Sequence, residues 1–293
     1  MKAGNPVYSH IIKNDMLDDL LNYALYMFWT KGFSLYNCAV LLVQRSGLGY
    51  VATEQEWKKR DRQIKPDARP LLALNISGPL GIYYEACDTI SINDEPLPKW
   101  MQVSSCKVSP SILRYISLNN LIFLLNRHGI YYGEEDAGER FHGSINYYSN
   151  QTFPVTYPVR RGKETKYQTP YALIIRRQDE EQQKIATIFH EIGHLLCGHL
   201  TKDKSITETK KFDCNFPDRS NEHLTEAQKE FEAEKVCEIV MKVLNSDYNS
   251  SEYLSQYTGE EPIISLDIVM KAADRLLTWM NKTLYIGGNA THY

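Results

Sequence analysis

The stretch Asp179 to Gly198, DEEQQKIATIFHEIGHLLCG, constrains this chain more than any other. In a helix, His190 and His194 stand one turn apart and project from the same side, close enough for both imidazoles to reach one ion. Ile185, Ile188, Phe189, Ile192, Leu195 and Leu196 recur at helical spacing on roughly the opposite side. One face is therefore expected to pack and the other to hold metal. Two imidazoles with coordination positions left open suit Zn²⁺. Glu191, next to the first histidine, is placed to take a proton from water that the ion activates. A catalytic zinc site usually has three protein ligands, so one more must come from elsewhere.

The run Thr225 to Leu244, TEAQKEFEAEKVCEIVMKVL, opens on a capping-box pattern, Thr225 followed three residues later by Gln228. Its Val236, Val240, Val243 and Leu244, with Ala233 beside them, make a packing stripe, and the run reads as a second helix. At about 100° per residue, Glu230 and Glu234 fall roughly 40° apart on one edge of that stripe, whereas Glu232 points about 160° from Glu230 and is the weak candidate. Glu230 with Glu234, or Glu234 with Glu238, would give one carboxylate to the ion and a second to hold a ligand histidine by its other ring nitrogen. Spacing alone leaves both pairs open.

His190 to His199, HEIGHLLCGH, is similar to the HELGHLLLGH segment of the ImmA/IrrE-like metallopeptidases. Glu230 to Cys237, EFEAEKVC, resembles the E-x-x-A-(D/N)-x-x-A helix that follows it in that family and in related gluzincins. The resemblance implies His190, His194 and Glu230 as zinc ligands, Glu191 as the catalytic base and Glu234 as the residue behind a ligand. This chain departs from the pattern at Glu234, where Asp or Asn is usual, and at Cys237, where a small residue is usual. The activity implied is zinc-dependent endoproteolysis of a specific regulatory protein, such as a transcriptional repressor. His199, five residues past His194 and pointing off the ligand face, is not expected to be a ligand.

With 293 residues the chain is comfortable for two domains, and its formal net charge of -3 gives no global push toward nucleic acid or membrane. Six dispersed cysteines without a CxxC read as reduced, the amino terminus lacks an apolar signal region, and no uncharged apolar run reaches the roughly 18 residues of a membrane span. The expected location is the cytoplasm.

In the amino-terminal half, Met16 to Trp29 and Tyr36 to Arg45 read as packed helices, and Leu71 to Leu74 and Gly81 to Ala86 as short strands joined across Ser77-Gly78-Pro79. Lys58, Lys59, Arg60, Arg62, Lys65 and Arg69 stand against Asp61 and Asp67 only, beside Trp57 and Tyr50. Such a patch suits single-stranded DNA through phosphate contacts and base stacking. Phe33-Ser34-Leu35-Tyr36-Asn37, Gln44, Trp57, Lys65 to Pro70 and Gly81 are similar to the amino-terminal module of ArdC-type antirestriction proteins, which implies single-stranded DNA as a partner and gives an alternative reading in which proteolysis is not the main activity. Tyr253 to Tyr257 and Lys271 to Arg275 resemble the tail of ArdC-like peptidase domains.

Further on, Ser109 to Gly129 reads as a helix whose terminus favours a cation at His128, and Gly138 to Tyr171 as loop-rich. Tyr171 to Arg176 reads as a strand with an exposed edge walling the cleft, and Ser265 to Met280 as a closing amphipathic helix. His142, Tyr157, Tyr167, Tyr171 and His223 are unranked candidates for stabilising a developing oxyanion. These readings give an α/β (α+β) chain. A helix-plus-sheet module over residues 1–104, with a Pro-containing linker around Asp94 to Pro98, precedes a mainly helical zincin-like domain with a small sheet over residues 105–293.

Overall fold

The computed structural model describes residues 5–75, 80–98, 101, 116–159, 163–200, 216–244 and 262–284. Turn residues 77–79, Cys106, Cys214, the start of the Ser109 helix and Tyr253 to Tyr257 lie outside them. Helices and small sheets mix throughout, as an α+β class requires. The chain divides between Ser109 and Pro110 into two compact units.

The first unit opens with α1 (Pro6–Lys13), α2 (Leu17–Lys31) and α3 (Leu35–Gln44). Side chains start two of them: Asn5 accepts from the Val7 N–H, and Ser34 from the Asn37 N–H. Asp18 and Asp19 sit in the first turn of α2, where the helix dipole favours negative charge. There follow β1 (Val51–Ala52), α4 (Glu54–Lys58), β2 (Arg62–Ile64), β3 (Leu71–Ala73), β4 (Gly81–Glu85) and β5 (Thr89–Ser91). Strands β1, β4 and β3 form one antiparallel sheet in that order, and β2 pairs with β5. Amide side chains from α3 close the outer edge of β3. Asn37 both donates to and accepts from the backbone of Leu74, and Gln44 does the same with Leu72, all at 2.7 to 2.9 Å. Two amides thus replace a missing strand.

The second unit contains α5 (Leu118–Arg127), β6 (Tyr131–Glu135), β7 (Gly143–Tyr147), β8 (Phe153–Val159), β9 (Lys163–Thr169), β10 (Tyr171–Arg176), α6 (Glu181–Cys197), α7 (Glu226–Val243) and α8 (Leu266–Leu284). The region expected to be loop-rich before Tyr171 therefore holds three strands. The β8–β9 ribbon pairs antiparallel from Phe153↔Thr169 to Val159↔Lys163, and β9 is largely solvent-facing, so no apolar alternation announced it. Strand β10 is not an edge. It lies in the middle of a sheet ordered β6-β10-β7, parallel to β6 and antiparallel to β7, and β7 is the edge strand that faces α6.

Helix α6 is enclosed by α7, α8 and the sheet rather than packed on one face. Phe189, Ile192 and Leu195 are buried, and so are Gly193 and His190 on the side expected to be open. Burial of Phe189 alone is worth about 2 to 3 kcal/mol. The enclosure follows from Gly193: a Cβ there would sit 2.7 Å from the Ala233 carbonyl oxygen and 3.0 Å from its Cα. Two small residues let the backbones of α6 and α7 touch. Among the described residues no helix is long and apolar enough to cross a membrane.

His128 corrects another expectation. Rather than adding a cation to the end of α5, its ring stacks on Trp279 of α8 at 4.0 Å and 11°. Burial lowers its pKa from 6.5 to about 4, helped by the charges of Arg127 and Arg275. It is a neutral packing group.

Gly193→Ala should cost about 1 to 3 kcal/mol through overpacking, read as a lower urea midpoint with unchanged slope. For His128, the unfolded state binds a proton that the folded state refuses, so its contribution is full above about pH 6.5 and is lost as pH falls toward 4. His128→Phe should therefore lose less stability than the unsubstituted protein between those pH values, by up to about 3 kcal/mol, in parallel urea titrations.

Candidate metal centre

The crossing at Gly193 and Ala233 decides what faces what. His190 and His194 lie three residues before and one after Gly193, and Glu230 and Glu234 lie three before and one after Ala233. The two pairs meet across the contact. His190 Nε2 and His194 Nε2 are 3.1 Å apart, and the Glu230 carboxylate is 3.3 Å from the first and 3.5 Å from the second. These three ligand atoms form one donor group within 4.8 Å. Glu234, 1% exposed, sets its Oε2 2.9 Å from His190 Nδ1. Helix α7 keeps this register because its start is fixed by a full capping box, Thr225 with Gln228.

Glu238 stays outside, paired with Lys235 at 2.9 Å. Of the two glutamate pairs that spacing left open, the structure brings Glu230 and Glu234 to the histidines. Burial works to lower the pKa of His190, but hydrogen bonds to Glu230 and Glu234 prevail and hold it up to about 9. Burial works to raise Glu230, and the two imidazoles hold its carboxyl well below the usual range. This donor set fits a divalent ion. In the neutral form that an ion binds, His190 donates from Nδ1 to Glu234 and its Nε2 lone pair points at a second ring nitrogen and a carboxylate, three Lewis bases converging with a cation's place between them.

Glu191 lies on the accessible side. Its Oε2 accepts a 2.9 Å hydrogen bond from the Ile145 N–H of β7, and it is near enough to His190 for its charge to raise that group's pKa. Ile145 falls between the positions at which β7 bonds β10, to judge from the flanking bonds of Tyr148 to Pro170 and Arg176 to His142, so its N–H points out from the sheet edge.

Sequence reasoning missed a second layer of polar groups. Glu232, read as the weak candidate, is 1% exposed and forms a hub. It accepts from Arg219, from the Ser265 N–H at 3.0 Å and from His199 Nε2 at 2.9 Å. His199 in turn places Nδ1 3.0 Å from His194 Nδ1. Burial pushes the His199 pKa down despite the pull of Glu232, and burial of Glu232 is outweighed by His199, Arg219 and the Ser265 N–H, which hold its carboxyl low. The signal was Gly198: at φ +81° it ends α6 in a Schellman turn, with the His199 N–H on the His194 carbonyl and the Gly198 N–H on Leu195. That turn folds His199 back over His194.

Two further clusters with metal-ligating atoms, Cys197-His199-Glu232 and Glu85-Cys87-Asp88, each already contain a guanidinium, from Arg219 and Arg45 respectively. The oxyanion candidates scatter. His142 pairs with Asp179 at 3.0 Å, at the far end of α6 from Glu191, and Tyr167 donates to the Asn126 carbonyl. Tyr157 packs edge-on against Phe123 and Tyr167, and Tyr171 is buried against Tyr147 and Phe216. His223 is exposed just ahead of α7.

In the first unit Trp57 and Tyr50 do not form the stacking platform expected for DNA: they are 0% and 1% exposed and pack edge to face on each other. Lys58 pairs with Glu54, Arg60 donates to the Glu56 carbonyl, Arg62 to Thr89, and Lys65 to the Cys87 carbonyl. Lys59 and Arg69 are exposed.

Residues 156–279 match the family model described as HD domain. No curated protein and no solved structure matches the chain. The match takes in α6, α7 and most of α8, and with the donor group it indicates a metal-dependent hydrolase.

Glu230→Gln should sharply reduce zinc affinity, and Glu234→Gln should reduce it by about 10- to 100-fold, in competition titrations against a chromophoric chelator. Near-normal binding by Glu230→Gln together with loss in Glu234→Gln would move the third ligand to Glu234.

Proposed function

We propose that the chain is a zinc-dependent metallopeptidase of the ImmA/IrrE-like kind, which cuts a specific regulatory protein such as a transcriptional repressor. The observation that carries this reading is the hydrogen bond from Ile145 to Glu191. One edge strand both holds the proton acceptor and presents outward-facing main-chain groups, as a site for an extended peptide needs.

His190, His194 and Glu230 would hold Zn²⁺, which when bound supplies Lewis acidity to water and to a carbonyl oxygen. Glu191 accepts the proton of the attacking water and passes it to the leaving amine. The Ile145 N–H keeps the Glu191 carboxylate on the accessible side, and Glu234 keeps His190 in the tautomer that presents Nε2. The choice of a regulatory protein as substrate rests on the resemblance of HEIGHLLCGH and EFEAEKVC.

The HD match supports a second reading, metal-dependent hydrolysis of a phosphoester. Weighing against it, each of the eight histidines is followed by a residue other than aspartate, so the chain has no adjacent His-Asp pair to share an ion. The acidic neighbour is instead Glu191.

Glu191→Gln separates the readings. It should keep its zinc while hydrolysis of peptide bonds in host proteins, followed by mass spectrometry of lysate incubations, falls by at least about 100-fold. Turnover of generic phosphodiesters and phosphomonoesters by the unsubstituted protein, with no peptide product, would establish the second reading instead.

A further inference from the structure

His190 has a carboxylate directly behind it, whereas His194 has a histidine. Its Nδ1 lies 3.0 Å from His199 Nδ1, and His199 Nε2 lies 2.9 Å from Glu232 Oε2. A carboxylate only accepts, so His199 donates from Nε2. With both rings neutral, His199 Nδ1 then carries a lone pair, and His194 must donate to it from its own Nδ1. The remaining nitrogen of His194, Nε2, is left without a proton and faces His190 and Glu230.

The relay is rigid by construction. The side chains of His199 and Glu232 are 2% and 1% exposed. Glu232 is gripped by both terminal nitrogens of Arg219 and by the Ser265 N–H at the start of α8, and Arg219 also donates to the Cys197 carbonyl that ends α6. The backbone of His199 is fixed as well, through its N–H on the His194 carbonyl. Retaining a buried carboxylate, guanidinium and imidazole is costly unless each is paired, and here Arg219 pairs with Glu232, Glu232 with His199, and His199 with the ring of His194.

We propose that Glu232 and His199 are positioning residues that fix the tautomer and ring orientation of His194 for metal binding, the indirect counterpart of Glu234 behind His190. This rests on the metal reading of the site. Neither residue touches substrate. Two branches of unequal length thus present two Nε2 lone pairs to one point, and both branches leave from the same helix, α7, as does the third ligand.

The test compares His199→Phe, which keeps a ring of similar shape but no nitrogen, with His199→Asn, whose side-chain oxygen takes the place of Nδ1 as an acceptor. Zn²⁺ affinity is measured by chelator competition on the full chain, the visible d–d bands of bound Co²⁺ report ligand geometry, and far-UV circular dichroism of the metal-free proteins verifies folding. His199→Phe should lose about 10- to 100-fold in affinity with altered Co²⁺ bands, and His199→Asn should recover most of the affinity and the original bands. Equal, near-normal binding by both variants would overturn the proposal, as would equal loss in both, because the acceptor would then be irrelevant. Failure of the unsubstituted protein to bind either metal would overturn the metal reading itself.

Discussion

The close backbone approach of α6 and α7 at Gly193 and Ala233 is the contact on which the second unit depends. A helix pair held apart by ordinary side chains keeps its axes 8 to 10 Å distant, roughly, and its functional groups must span that gap. Here both crossing residues are small, and the groups on either side of them come within hydrogen-bonding reach. The contacts of His190 with Glu234, of His194 with Glu230 and of His199 with Glu232 each run from one of these helices or its terminal turn to the other.

Such an arrangement buries charge, and its energetics explain the extent of the polar network. Glu232 and Glu234 are both 1% exposed, and an isolated carboxylate at such sites would be strongly destabilising. Each is satisfied by an imidazole, and Glu232 by Arg219 and the Ser265 N–H just ahead of α8 as well. Glu234 serves the ion by holding His190. Glu232 serves the packing of the terminal turn of α6 and the entry to α8, and would act on an ion only through His199. Under the proposed reading, Glu230, Glu234 and Glu232 would divide between ligation, direct support and indirect support according to the side on which each leaves α7.

The helices of the site were legible because their signals are local. Thr225 with Gln228 marked one start, and helical spacing put Glu230 and Glu234 on one edge. The second layer was not legible from angles on isolated helices. Glu232 does point away from Glu230, yet a third helix and the loop carrying Arg219 enclose that side, which no pattern within α7 reveals. The same limit misplaced β10, whose apolar run suits an edge or a centre equally, and hid β9, whose seven residues include no aliphatic side chain to mark its alternation. In the first unit, Trp57 and Tyr50 beside a basic run suggested a surface for bases. Both rings are buried in a small core, which no pattern of neighbouring charges reveals, while Arg60 and Lys65 donate to backbone carbonyls.

The central claim is that two imidazoles and one carboxylate from a crossed helix pair hold a single zinc ion. Zinc K-edge X-ray absorption of the metal-loaded protein tests it most directly. The expected first shell contains only nitrogen and oxygen at about 2.0 to 2.2 Å, with the outer-shell scattering of two imidazoles. A sulfur shell at about 2.3 Å would instead assign the ion to a cysteine-containing cluster and contradict the account.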